Sequence, residues 1–475
     1  MVFSGSIFLF YFLPLFLFVY FIPKKSSYKN LIILIFSILF YAWGASDFIL
    51  IVVGSIFIDF YLVKYIHLAS SLKTKQLLLS LSIIMNIGLL AYFKYANFFV
   101  ENINILLSTY NIPLIRWTSV ALPIGISFFT FQKMTYGIDV YRKVYHPLQK
   151  WTDFALYILM FPQLIAGPIV RFNEIASQIE DRKENENLNN RITGFFRFSI
   201  GLAKKVLIAN TLGEQADFVF ALPADSLHSF QAWIGILAYT FQIYYDFSGY
   251  SDMAIGIGRM IGFDFPENFD NPYISRSITE FWKRWHITLG RWMKDYLYIP
   301  LGGNRVSTIR LYFNLWLVFL ISGLWHGAAW TFIAWGAFHG LFLIADRIYL
   351  LNFYKIIGKY PSILITFIIT IFGWVIFRAE NMKQALLFFK KLLSTDFQTD
   401  FSLFESPFYT TLIVAAIFGF WAMFGNIEKW QQQMYAKQQN VKVLIAMFSF
   451  SVLLSYISVS YIISSGFNPF IYFRF

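Results

Sequence analysis

Long uncharged runs alternate with short charged clusters along the whole chain. Runs nearly free of charge occur at residues 1–23, 30–46, 48–66, 76–93, 117–132, 154–170, 227–245, 311–345, 360–377, 406–427 and 443–473. A weaker candidate at 193–212 is interrupted by Arg197, Lys204 and Lys205. A bilayer-spanning helix needs about 20 mostly apolar residues. The runs are continuous and do not alternate in polarity, which argues against a membrane β-barrel. The pattern therefore predicts an all-α polytopic membrane protein with about eleven to thirteen membrane-associated segments. The run 311–345 is too long for one simple span and predicts two segments or a bent pair. No internal repeat is evident.

Composition agrees. Hydrophobic residues make up 58% of the chain and charged residues 13%, about half the ~25% of an ordinary soluble domain. Too few charges remain to cover a soluble surface, and intrinsic disorder is excluded on the same grounds. The net charge of +12 fits an excess of Lys and Arg on the cytoplasmic side, so no nucleic-acid partner is expected. Lys24, Lys25 and Lys29 place the loop after the first run in the cytoplasm and the N-terminus outside. Lys429, Lys437 and Lys442 place the start of the last span inside and the C-terminus outside. Residues 1–23 lack a basic leader and a small-residue cleavage site, so they read as a retained membrane segment. The most polar stretch, 171–192, reads as a solvated loop, with an amphipathic surface helix as the alternative.

Few residues stand out chemically. The chain has no cysteine, hence no disulfide, thiol nucleophile or thiolate metal site. It also lacks a G-x-S-x-G elbow, an H-E-x-x-H pair, a Walker A loop and a dinucleotide fingerprint. No metal site is expected. Residues 276–301 read as an interfacial helix: at 100° per residue, Trp282, Trp285, Leu289, Trp292 and Tyr296 share one stripe. Lys283, Arg284, Arg291, Lys294 and Asp295 lie on the other side. His286 flanks both faces, either as an interfacial histidine without chemistry or facing a site roofed by the helix. The basic residues could meet phosphates of an anionic donor or lipid headgroups.

His326 lies inside the long uncharged run. A histidine at membrane depth is costly unless paired or lining a cavity. It is either a satisfied structural residue or a general base able to take a proton from a hydroxyl. Gly323, Gly327, Ala328 and Ala329 around it, beside Trp325, permit close helix packing or a slender substrate. His339 falls about 220° further round the helix and reads as structural. Asp246, Ser248 and Asp252, near Gly249, Gly256, Gly258 and Gly262, suggest a broken or re-entrant segment serving as scaffold for the site.

Five ordered blocks carry a family resemblance: PIGISFFTFQKMTYGIDVYR (123–142), FPQLIAGPIVRF (161–172), QIYYDFSGYSDMAIGIGRMIGFDFPENFDNPY (242–273), FWKRWHITLGRWMKDYLYIPLGGNR (281–305) and ISGLWHGAAWTFIAWGAFHG (321–340). The tail NPFIYFRF (468–475) is similar too. The chain resembles a bacterial membrane-bound O-acyltransferase of the alginate O-acetyltransferase and peptidoglycan acetyl-export group. The resemblance covers nearly the whole chain, read as one transmembrane domain over 1–475. It implies a ring of tilted helices around a central funnel, with short re-entrant and interfacial helices. It also implies that His326 is catalytic and His286 the second functional position. Supporting or channel roles fall to Asp246, Ser248, Asp252, Trp282, Trp285, Arg284, Trp325 and Asp295, with 276–301 as the interfacial catalytic-site segment.

The implied reaction takes acetyl from a cytoplasmic thioester, acetyl-CoA, toward an extracytoplasmic polysaccharide. No tightly bound cofactor is implied. A separate extracytoplasmic transferase of the SGNH/GDSL type is the implied partner, and membrane lipids surround the chain, in the cell inner membrane. Two other readings stay open: D-alanyl transfer from a carrier protein toward teichoic acid, and transport of polysaccharide or lipid without acyl chemistry. A membrane scaffold is a third class.

Overall fold

The computed structural model describes residues 2–223, 225–395, 404, 406–436 and 438–464. Lys437 and the NPFIYFRF tail lie outside the described residues. The chain is all-helical as expected; among the described residues β pairing is confined to an isolated bridge between Phe269 and Trp285. It divides into two compact units, residues 1–187 with 258–265, and residues 188–257 with 266–475.

In the first unit, α1 (Leu13–Phe21), α2 (Ser26–Ala45) and α3 (Ile49–Leu68) precede the long α4 (Leu72–Thr109). Next come α5 (Ile126–Tyr141), α6 (Trp151–Leu159), the single turn α7 (Phe161–Leu164) and α8 (Phe172–Glu180). Aromatic packing joins the early helices to α7: the Phe161 ring lies 5.0 Å from Phe16 and 5.3 Å from Phe12. A buried polar group ties α3, α4 and α5 together. Asp59 accepts from Ser82 (2.6 Å) and Asn86 (2.8 Å) and pairs with Lys133 (3.3 Å).

Three expectations change in this unit. Run 117–132 is not one segment, because an exposed non-helical stretch reaches Pro123 and Gly125, whose φ of 77° is left-handed, before α5 begins. Run 154–170 is broken after Leu159, and the chain beyond it stays buried. Within the 171–192 stretch, residues 172–180 form α8, whereas 181–187 make a largely exposed connection apart from Arg182. α8 buries Phe172, Ile175, Ala176 and Ile179, so the amphipathic helix is correct there. Arg182, only 3% exposed, donates to Asn30 Oδ1 (2.6 Å), the Tyr20 hydroxyl (3.1 Å) and the Ile261 carbonyl (3.2 Å). Lys29, one of the basic residues of the first loop, is ion-paired with Glu186.

The second unit begins with α9 (Leu188–Ala203), which runs through a π-helical turn at Lys204–Ala209 into α10 (Asn210–Phe220). α11 (Ser229–Met260) follows, its last residues counted in the first unit. Two short helices, α12 (Ile278–Arg284) and α13 (Ile287–Met293), precede the hairpin α14 (Thr308–His326) and α15 (Trp330–Ala345). The remainder comprises α16 (Leu351–Ile357), α17 (Lys359–Arg378), α18 (Met382–Leu392), α19 (Ser406–Phe420), α20 (Ile427–Met434) and α21 (Val441–Ser464).

The 311–345 run is the bent pair expected, folded back at residues 327–329. Its two helices meet on glycine: a Cβ at Gly323 would strike the Phe332 carbonyl, and one at Gly336 would strike that of Phe319. The weak 193–212 candidate is helical because its cations are neutralised. Arg197 pairs with Asp252 (2.6 Å) and Glu267 (2.6 Å), Lys204 with Asp252 (2.7 Å), and Lys205 with Asp246 (2.7 Å). The expected break among Asp246, Ser248 and Asp252 is not there. α11 is continuous, and its glycines serve helix contact: a Cβ on Gly201 of α9 would lie 2.5 Å from the Gly249 carbonyl oxygen. The irregular backbone begins only after Met260, with Gly262 at φ 84° and Asn271 at φ 45°.

Six helical stretches among the described residues are long and apolar enough to cross a bilayer: 26–68, which holds two helices, 72–109, 308–326, 359–378, 406–423 and 441–464. The protein is thus a multi-pass membrane protein. Gly201→Ala should destabilise it by about 1–3 kcal/mol, the usual cost of overpacking, read as a lower thermal midpoint in detergent. Gly54→Ala, with nothing within 4 Å of the added atom, should match or slightly exceed the parent.

Candidate active site

The segment expected to lie flat as one amphipathic helix is broken at its centre. Trp285 is extended (φ −102°, ψ 129°) and His286 is left-handed (φ 46°, ψ 51°). A non-glycine residue in that region is uncommon and needs support from its surroundings. The support is the 268–271 stretch beside it. The Asn268 carbonyl accepts from Ile287 N (3.0 Å), and Asp270 N donates to the Arg284 carbonyl (2.9 Å). These bonds satisfy backbone groups that one continuous helix would have paired internally.

The break also redirects the tryptophans. Trp285 and Trp292 are 3% and 4% exposed, so they do not form a headgroup-facing stripe. The Trp285 indole stands 4.8 Å from Trp374 and 5.0 Å from Phe269. Trp282 donates through Nε1 to His339 Nδ1 (3.4 Å) and sits 5.4 Å from Trp335. His339 is thereby held in this aromatic cluster.

At the same break, His286 turns inward, and α14 ends on His326. The two imidazoles stand 6.4 Å apart between centroids, and both are buried. Aromatic rings wall them in. Phe247 lies 4.7 Å from His286; Trp335 and Phe377 lie 5.2 and 5.3 Å from His326. Trp325 contacts both, at 5.9 and 5.0 Å. A Cβ on Gly327 would collide with the Phe332 ring, so the space beside His326 is occupied by packing. His286 Nδ1 bonds to Asn268 Oδ1 at 3.1 Å, while its Nε2 is enclosed with no hydrogen-bond partner among the described residues. Burial holds the His286 pKa down at about 3, against an ordinary 6.5, so this ring is neutral at physiological pH.

Of the residues singled out in the sequence, His286, His326 and Trp325 come together, with Trp282 and Trp285 in the adjoining cluster. The others lie elsewhere. Asp246 and Asp252 turn to the cations of the 197–205 helix, and Ser248 is buried with no partner for its hydroxyl among the described residues. Arg284 is held by Glu280 (3.0 Å), Glu428 (3.1 Å) and Asp270 (3.5 Å). That leaves its guanidinium committed to carboxylates of the chain itself, not to a phosphate. Asp295 is half-buried in the π-helical turn Lys294–Tyr298. Asn268, Phe247, Trp335 and Phe377 were not foreseen as site residues. Asn268 sits in PENFDNPY, whose polar residues just after an apolar helix were the available signal.

Membrane-crossing helices and an enclosed, aromatic-walled imidazole pair in the second unit define a multi-pass membrane protein with a buried site. Comparison supplies the family. Residues 13–389 match MBOAT, the membrane-bound O-acyltransferase family. Over 396 residues the chain is 46% identical to "Probable alginate O-acetylase AlgI" of Pseudomonas aeruginosa, covering 83% of this chain and 75% of that protein. It is 41% identical over 426 residues to "Peptidoglycan O-acetyltransferase" of Helicobacter pylori, with 83% and 80% covered. A "Teichoic acid D-alanyltransferase" of Streptococcus thermophilus is 30% identical over 260 residues, with 50% and 60% covered. The chain belongs to the membrane-bound O-acyltransferase family and is an acyltransferase.

The neutral, buried His286 ties stability to pH. Its folded pKa lies below the unfolded value, so no penalty exists above about pH 6.5. As pH falls from there toward 3, the unfolded chain takes up a proton that the folded one refuses, and stability drops. Thermal midpoints in detergent between pH 7 and 4 should therefore fall less steeply for His286→Gln than for the parent. Equal slopes would count against the neutral assignment.

Proposed function

We propose that this protein moves an acetyl group from a cytoplasmic thioester, acetyl-CoA, across the inner membrane for O-acetylation of an extracytoplasmic polysaccharide of the alginate or peptidoglycan type. The whole chain acts as one catalytic domain in this reading. The observation that carries it is the meeting of His286 and His326, from separate elements, inside an aromatic enclosure.

In this reading His326 is the general base. The acceptor hydroxyl gives its proton to the imidazole as its oxygen bonds the acyl carbon. The carbon–sulfur bond breaks, and the proton leaves with the sulfur as a free thiol. Exclusion of water by the aromatic wall favours transfer over hydrolysis of the thioester. His286 orients the acceptor for that transfer in this reading. A soluble transferase of the SGNH type finishes acetylation outside. The acetyl donor is favoured over an aminoacyl one because the two acetyl-directed relatives share 83% of this chain, against 50% for the D-alanyl relative.

The test is transfer of labelled acetyl by purified protein in vesicles, with thiol release followed in parallel. His326→Ala should lower transfer by at least about 10²-fold, the usual contribution of a general base, with the fold intact by thermal midpoint. Full transfer by that variant would remove His326 from the chemistry. Transfer from an aminoacyl carrier protein but not from acetyl-CoA would favour the D-alanyl reaction. Glycan flux without thiol release would favour transport.

A further inference from the structure

We propose that Asn268 is a positioning residue: it locks His286 in the tautomer carrying its proton on Nδ1, leaving Nε2 as a bare acceptor for a hydroxyl-bearing ligand. The inference rests on the reading that the histidine pair carries acyl transfer, and adds a residue and a proton address to it.

The argument is one of donors and acceptors. The main-chain N–H of Thr288 points at Asn268 Oδ1 (3.4 Å), and so does the Thr288 hydroxyl (2.8 Å). A backbone amide can only donate, so the asparagine atom facing it is the carbonyl oxygen. The other end of the same amide, Nδ2, donates to Ser251 Oγ on α11 (3.1 Å). The side chain is thus fixed at both ends and cannot present its nitrogen to the imidazole. His286 Nδ1 lies 3.1 Å from that same oxygen. An acceptor oxygen binds only a protonated ring nitrogen, and the partner of one nitrogen decides the state of the other. A neutral imidazole with its proton on Nδ1 has none on Nε2.

Nε2 is enclosed, and among the described residues no group donates to it. A buried acceptor left without a donor is destabilising, a penalty a ligand hydroxyl would relieve. Phe247 of α11, Trp325 and His326 of α14, and Asn268 face the ring. His326 is the titratable neighbour among them. A hydroxyl donating to His286 Nε2 would hold a neighbouring hydroxyl of the same ligand next to the second imidazole, where His326 takes its proton. The ligand class is therefore an alcohol, such as a sugar hydroxyl.

Three variants test this in the acetyl-transfer assay. Asn268→Ala should lower kcat about 10–100-fold, as loss of residues that orient metal-ligating imidazoles does, with donor KM changed less than about twofold. In a His286→Ala background the same change should add almost nothing, since the two act as one unit. Asn268→Asp keeps an acceptor for Nδ1–H and should recover most of the activity. Its carboxylate favours the imidazolium, so the acid limb of the pH profile should move to higher pH by about one unit or more. A purely structural role for Asn268 would lower yield and thermal midpoint without moving that limb. His286→Ala inactive with Asn268→Ala at parental kcat and pH profile would overturn this proposal alone. Full transfer by His286→Ala would overturn it together with the proposed function.

Discussion

Backbone hydrogen bonding governs this molecule more than any single side chain. In hydrocarbon, an N–H or C=O freed from a helix must be paired by protein or by a watery cavity. The break at Trp285 and His286 exists because residues 268–271 run beside it and take up the freed groups. Had the segment stayed one helix, His286 would have remained on its flank. The break turns the ring inward and brings it within 6.4 Å of His326. The other imidazole depends on a break too, since α14 stops at His326 and the chain reverses over 327–329.

Charge inside the second unit obeys a related constraint. Breaking a buried ion pair from one side costs about 3–5 kcal/mol, whereas an exposed pair contributes little. Arg197, Lys204 and Lys205 are tolerated on a largely buried helix because Asp246, Asp252 and Glu267 answer them. The geometry of those pairs relies on close approach of α9 and α11 at Gly201 and Gly249. The aspartates, expected from the sequence to be scaffold for the site, thus hold helices together. Arg284 is a comparable knot, joining α12 to Asp270 and to Glu428 of α20.

The sequence disclosed the membrane class, the hairpin of 311–345 and the burial of His326, because hydropathy and the rarity of buried ionisable groups are local properties; His286 stood out as functional only through the family resemblance. It misjudged 276–301, where a 100° stripe of tryptophans pointed to a surface helix. Periodicity assumes continuous backbone, and the partner that ends the helix at Trp285 lies some fifteen residues upstream. It misjudged α11 for the opposite reason: Gly249 and Gly256 looked like breakers, but they are contact points for a helix that the local pattern does not reveal. Asn268 was hidden because its role is defined only by Thr288, Ser251 and His286 around it.

The order of synthesis adds a timing problem. Tyr20 and Arg182 both bond to the carbonyl of Ile261, which follows Tyr20 by 241 residues. At ribosomal rates of about 5–20 residues per second, that carbonyl emerges roughly 12–50 s after Tyr20. The first eight helices are complete long before, yet the unit they form lacks residues 258–265. Arg182 precedes Ile261 by 79 residues, so for about 4–16 s of that interval it is a cation without one of its acceptors in a nearly finished bundle. Insertion of this chain therefore has a built-in waiting state, closed only when the far end of α11 arrives.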